Sequence, residues 1–217
     1  MRASLAVATT LIASLVPHSA LIAAQAQVAM KVGTVSLRMP LPSGFCAPAA
    51  NQVEKTAKLA KADPQNITLS TLLACKRPAA IDPWSNYILI KAPNAAVGLN
   101  LPKEQTLAQL HAASQRPDAP IIDDKLNAEI GDSAKKAFGE RIDVRGSFGP
   151  DGRDSDCVYL AGPITVQKSA STIQAHAATC MTVVKGKLVA ISLYDFVNET
   201  DYGVLKAQVR KFALSIT

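Results

Sequence analysis

Apolar and polar residues change their period twice along this chain. Over 32–39 they alternate, with Val35, Leu37 and Met39 on one side, which predicts a first strand running into the turn-rich LPSGFCAP at 41–48. Over 49–62 the spacing becomes helical: Val53, Ala57 and Ala60 share a face, Glu54 and Lys58 stand at i,i+4, and Asp63-Pro64 ends the run. Leu69, Leu72 and Leu73 predict a second short helix, capped by Asn66 or Thr68 and closed by Cys75. A linker at 78–83 leads to a strand over 84–91, WSNYILIK, which Ala92-Pro93-Asn94 ends. Helical spacing returns over about 103–115, with Leu107 and Leu110 inward, and over about 123–138, with Leu126, Ile130 and Phe138 inward.

From Glu140 the period is two. Ile142, Val144 and Phe148 share a face, and GPDGRDSD at 149–156 reads as a Gly- and Asp-rich turn. CVYLAGPITV, TIQAHAATCMTVV and KLVAISLYDFV follow, separated by QKSAS and by Lys185-Gly186, so four strands with short turns form an antiparallel meander. The chain closes on a helix capped by Asn198, with Asp201 in its first turn and a stripe of Tyr202, Leu205, Val209 and Phe212 that would lie across the meander. The expected fold is a single α+β domain over 27–217: an antiparallel sheet made of the C-terminal meander plus one or two N-terminal strands, flanked by helices in an α/β/α sandwich.

The first 26 residues change the chemical setting. Arg2, an uncharged run over 3–16 and the small residues ending Ala24-Gln25-Ala26 have the order of a secretory signal peptide, with cleavage expected after Ala26. The apolar run is shorter than the roughly 20 residues a membrane span needs. No further transmembrane segment is expected, and a periplasmic location follows. In that setting the four cysteines, Cys46, Cys75, Cys157 and Cys180, favour disulfides. Cys157 and Cys180 are equally distant from the Lys168-Ser169 midpoint, so a hairpin turn centred there would set them face to face, leaving Cys46 to pair with Cys75. An odd-length turn, or a bulge at Gly162-Pro163, would shift that register, and the other pairings stay open.

Charge and catalytic motifs add little. The net charge of +6 is spread over separate segments, Lys55/Lys58/Lys61, Lys135/Lys136, Lys185/Lys187 and Lys206/Arg210/Lys211, which reads as solvated faces. One Trp, four Tyr and five Phe give no interleaved aromatic-basic run, so no nucleic-acid partner is expected. No G-x-S-x-G occurs, Ser43-Gly44 belongs to a turn, and Gly146, Gly149 and Gly152 precede a strand rather than a helix. His111 and His176 read as structural histidines, and with no C-x-x-C no metal or cofactor is expected. Asp151, Asp154 and Asp156 lack the ligand spacing of a calcium loop and read as a solvated hairpin tip. Asn66-Ile67-Thr68 and Asn198-Glu199-Thr200 match the glycosylation pattern but read as helix starts.

LPSGFCAP, LLAC at 72–75 and the late CMTVVKGK resemble uncharacterised secreted proteobacterial proteins that open with L-P-x-G-aromatic-C. The order of elements is similar to the sandwich of the photosystem II oxygen-evolving accessory (PsbP-like) family. That resemblance implies a non-catalytic accessory or binding protein, here of the periplasm, with an envelope protein or small ligand as partner. A hydrolase using carboxylates dispersed in sequence and a structural or stress-related envelope protein contacting anionic surfaces are the alternatives. A binding module would show a pocket lined by the Trp84 strand or the helices after it.

Overall fold

The N-terminal alternation resolves into a hairpin, not one strand. In the structure, a computed structural model describing residues 26–61, 63–75, 86–116, 132, 135, 143–167, 171–196 and 201–217, β1 (Gln27–Val32) pairs antiparallel with β2 (Val35–Pro40). Every second residue of the pair points inward: Met30, Val32, Leu37 and Met39 are buried, whereas Lys31, Ser36 and Arg38 face out. Residues 1–25 lie outside the description, and with them all but the last residue of the expected signal.

After β3 (Phe45–Cys46) and α1 (Ala50–Lys61) comes a correction. The stretch expected as a second short helix is β4 (Asn66–Ala74). A run such as NITLSTLLA satisfies both periods, and its β-branched Ile67, Thr68 and Thr71 favour the strand. A register shift between Thr68 and Ser70 leaves Leu69 as a bulge, so the leucine spacing mimics a helical stripe. Asn66 caps no helix; its side-chain amide donates to both Asp63 carboxylate oxygens at 3.0 and 3.1 Å. Asp63 also pairs with Lys91 Nζ at 2.7 Å.

The expected Trp84 strand is β5 (Asn86–Pro93); Trp84 and the 78–83 linker lie outside the described residues. A short 3-10 turn, Asn94–Ala96, leads to α2 (Lys103–Ser114), where Leu107 is buried and Leu110 only half-buried. Of the expected 123–138 helix, residues 132 and 135 are helical and the rest lies outside the description. The C-terminal half is β6 (Asp143–Gly146), β7 (Gly149–Arg153), β8 (Val158–Gln167), β9 (Thr172–Val184), β10 (Lys187–Asp195) and α3 (Tyr202–Leu214). Part of the stretch expected as a turn is therefore a strand, β7. The cap of α3 is Asp201, whose carboxylate accepts the Gly203 and Val204 amides; Asn198 lies outside the description.

Eight strands form one antiparallel sheet in the order β3-β4-β5-β10-β9-β8-β6, with β7 also on β8. The expected α+β architecture holds. One face carries the main core, in which the hairpin's buried residues meet Leu72, Ile88, Ile90, Val189, Ile191 and Leu193 of the sheet and Leu205, Val209, Ala213 and Ile216 of the C-terminal segment. The other face carries a smaller cluster around Val144, Ile164, Ala175 and Ala177. Tyr87 and Tyr194 face each other across β5 and β10 with rings stacked at 4.7 Å. β10 alternates so strictly that Lys187 falls on a buried position, where its ammonium donates to the carbonyls of Val97 (2.9 Å) and Leu99 (2.6 Å).

Lys185-Gly186 makes the expected tight turn between β9 and β10, both residues at positive φ (48° and 76°). The β8–β9 hairpin is centred one residue later than expected, so Tyr159 rather than Cys157 faces Cys180. Cys157, immediately before β8, reaches Cys180 diagonally, their Cα atoms 5.2 Å apart, and the disulfide forms. Cys46 and Cys75 form the second bond, also with Cα atoms 5.2 Å apart.

Gly162-Pro163 marks the point where the outer partner of β8 changes, from β7 over Val158–Ala161 to β6 over Ile164–Gln167. Proline supplies no ladder donor, and the glycine admits the crossing chain: a Cβ on Gly162 would lie 2.4 Å from the Ser147 carbonyl oxygen. Gly162→Ala is expected to cost about 2 kcal/mol, because backbone rather than a side-chain tip must move; urea denaturation checks it.

Candidate functional site

Two regions bring chemistry-bearing side chains together. The first is the corner between β7 and β8, where Asp154, Ser155 and Asp156 follow the last residue of β7. Asp154 Oδ1 accepts the backbone N–H groups of Asp156 (2.7 Å) and Cys157 (2.8 Å), closing a turn on its own side chain. Its Oδ2 accepts the Tyr159 hydroxyl (2.7 Å) and Arg210 Nε (2.9 Å). Asp156 takes Lys103 Nζ on Oδ1 (2.8 Å) and Arg210 Nη2 on Oδ2, and the Asp156 carbonyl accepts the Thr182 hydroxyl (2.6 Å). Asp151 pairs with Lys206 Nζ at 2.9 Å, and that ammonium sits 5.2 Å from the centre of the Tyr159 ring.

The expected solvated tip is therefore corrected. Three carboxylates from one hairpin corner meet three cations from two helices, Lys103 at the start of α2 and Lys206 and Arg210 of α3. Their spacing of two and three residues along an irregular corner turns all three toward the same place. Burial would raise the Asp154 carboxyl, but the Tyr159 hydroxyl, the two backbone N–H groups and Arg210 together hold it below the usual carboxylate range. Asp156 is held low first by its hydrogen bond from Lys103, against a smaller desolvation effect, and then by the charges of Lys103 and Arg210. Burial and the Asp154 contact push the Tyr159 phenol far up, so it remains a donor. Carboxylates this well paired are poor proton acceptors; the arrangement fastens α2 and α3 to the sheet. A cleft of about 410 Å³ opens beside it, lined in part by Lys103, Glu104, Arg153 and Ser155.

The histidines are apart from this corner. His176 on β9 stacks on the Tyr202 ring of α3 at 5.1 Å, and His111 lies on α2 with a buried Nδ1 that has no hydrogen-bond partner among the described residues. Among the described residues no three His, Cys, Asp or Glu side chains are grouped as a metal site would need.

The second region is a groove of about 440 Å³ between the hairpin and the bulged part of β4. Ile67, Thr68 and Leu69 form one wall, and Lys31, Ser36 and Arg38 line the other. Ile67 is 39% exposed, a β-branched apolar side chain left partly in water beside the bulge. Lys31 and Arg38 come onto one face because Ala29 faces Arg38 and Lys31 faces Ser36 in the β1–β2 register. Among the described residues neither cation is ion-paired and no carboxylate lines the groove. Sequence reasoning missed this site. The signal was present in the alternation of Lys31 and Arg38 with buried neighbours, but it needed the hairpin, which a single strand over 32–39 concealed. Of the pocket expected along the Trp84 strand or the helices after it, the described part is the cleft of about 410 Å³ at the first region, lined by Lys103, Glu104 and Leu107 of α2 and by the charged corner; Trp84 itself lies outside the description.

No family model matches the chain, and no curated protein matches it. Among solved structures it is similar to cyanobacterial PsbP (CyanoP) from Synechocystis sp. PCC 6803, at 14% identity over 83% of this chain and 85% of that one, with a TM-score of 0.39. Among the described residues no helix is long and apolar enough to cross a membrane.

Proposed function

We propose that this chain is a non-catalytic binding module of the bacterial periplasm, exported by its first 26 residues, and that the groove between the hairpin and β4 takes the anionic part of an envelope protein or small ligand. The observation that carries the reading is the pair Lys31 and Arg38, on the rim of a groove in which, among the described residues, neither is ion-paired and no carboxylate is present. Two cations set beside apolar Ile67 and Leu69 suit a ligand with a negative group and a short apolar body. The carboxylates of the β7–β8 corner favour the same reading, since each is already engaged by a cation. Export is supported by the order of charge, apolar run and small residues in the leader, and by four cysteines joined in two disulfides.

The test is recovery of the protein from its native envelope with whatever accompanies it, compared between wild type and Lys31→Glu/Arg38→Glu. Both positions face out, so the variant keeps its thermal midpoint. The co-purifying species falls by about tenfold or more in the variant, and binding of the wild type weakens as salt rises. A species retained equally by the two proteins would overturn the groove as the site.

A further inference from the structure

The two disulfides differ in what they hold and in what can reach them. Cys157 and Cys180 are both 0% exposed and belong to the main core. Cys46 is exposed and Cys75 half-buried. From β3 to the start of β4 runs an arm that buries little of its surface. β3 contributes only two residues to the sheet, Phe45 opposite Ala74 and Cys46 opposite Leu73. The Cys75 amide donates to the Gly44 carbonyl at 2.8 Å, and Phe45 meets Phe212 edge-on at 6.2 Å. Beyond that, α1 has no buried residue: Val53 is 52% and Leu59 36% exposed, Glu54 pairs with Lys58 within the helix, and Lys55 has a partner of its own. A twelve-residue helix without burial has little to keep it in place, since helix stability in proteins comes mainly from packing of one face. Among the described residues the arm is tied at its far end by Asp63, which pairs with Lys91 and accepts from Asn66, and at its near end by the cysteine bond.

We propose that Cys46–Cys75 is a redox-operated clasp, opened in the folded protein by a dithiol reductant, which frees the β3–α1 arm from the edge of β4 while the Cys157–Cys180 body stays closed. A thiolate of the reductant attacks the sulfur of the exposed Cys46; the S–S bond breaks, Cys75 leaves as a thiolate and takes a proton from water, and a mixed disulfide remains on Cys46. The reductant's second thiolate then attacks its own sulfur in that mixed bond, and Cys46 departs as a thiolate that takes a proton from water. Two electrons pass to the protein sulfurs, and the reductant becomes a disulfide. The buried pair offers no such line of approach, because exchange requires access to one sulfur. Opening uncovers the outer edge of β4 at Leu73 and Ala74, an unpaired strand edge able to accept another chain. The clasp is independent of the groove and stands or falls separately from it.

The experiment titrates the native oxidised protein with dithiothreitol, blocks free thiols with N-ethylmaleimide and maps the label by peptide mass. Cys46 and Cys75 are labelled at concentrations at least about tenfold below those that label Cys157 and Cys180. Over the same range, trypsin cleavage after Lys55, Lys58 and Lys61 accelerates while peptides of β8 and β9 remain intact. Cys46→Ser/Cys75→Ser, without reductant, is cut in α1 as fast as the reduced wild type. Labelling of all four cysteines together, or α1 as resistant in the double variant as in the oxidised protein, would overturn the proposal.

Discussion

Cys157→Ala/Cys180→Ala lowers the free energy of unfolding by about 3 to 4 kcal/mol, measured by urea denaturation. The bond spans 23 residues, and releasing a loop of that length restores roughly this much conformational freedom to the unfolded chain. The folded state gains no compensating freedom. Both positions are fully buried in the main core, and β8 and β9 remain paired over ten facing positions, Val158 to Gln167. The Cys46–Cys75 bond closes a longer loop, 29 residues apart, yet Cys46→Ala/Cys75→Ala costs less in the same measurement. Its removal lets the arm loosen in the folded protein too, so part of the entropy gained on unfolding is already present before it. The order of the two effects, opposite to the order of loop lengths, is the result to look for.

Asp154→Ala costs about 2 to 3 kcal/mol, a figure that allows for solvent screening of a carboxylate about one-third exposed. The substitution removes four acceptor contacts at once and leaves the Tyr159 hydroxyl and Arg210 without their shared partner. Acid reveals the same corner. Asp154 and Asp156 have folded-state pKa values below their unfolded ones, so the stabilisation is fully present above the unfolded value near pH 4 and is lost as pH falls through the lower folded values. Denaturation midpoints measured from pH 6 to pH 2 fall steeply below about pH 4 in the wild type. Asp154→Asn, which keeps one acceptor oxygen but cannot ionise, falls less steeply. An unchanged acid limb in that variant would mean that Asp154 is not among the groups responsible.

How much was legible follows the distance over which each feature is decided. β8, β9 and β10 announce themselves through alternation and through Lys185-Gly186, whose positive φ angles are a property of two adjacent residues. Leu205 and Val209 of α3 were placed correctly for the same reason, their stripe being a matter of one helical turn. The cap is Asp201 rather than the Asn198 expected, because both residue types can accept the first free amides and the apolar stripe alone does not say which of them does. β4 failed more fully, since its leucines fit either period and pairing with β5 on one side and β3 on the other chose the strand. The candidate site was hardly legible at all. Asp154 and Arg210 stand 56 residues apart, Asp156 and Lys103 53, and the wall of the groove at Ile67 belongs to a strand remote from Lys31.

The sequence by itself determined an antiparallel meander closed by an amphipathic helix and favoured disulfides for its four cysteines, while the choice among the pairings fell to the register of β8 on β9 and of β3 on β4. The meander and the helix rest on periods of two to four residues and on turns, which act before distant segments meet. Only the tertiary structure decided that an acidic corner is neutralised by two helices, that β8 changes its outer partner at Gly162-Pro163, and that Lys31 and Arg38 come together on one groove with Ile67 and Leu69. Each of these depends on which segments the buried core brings together, and the energy that selects them comes from contacts absent in any local stretch.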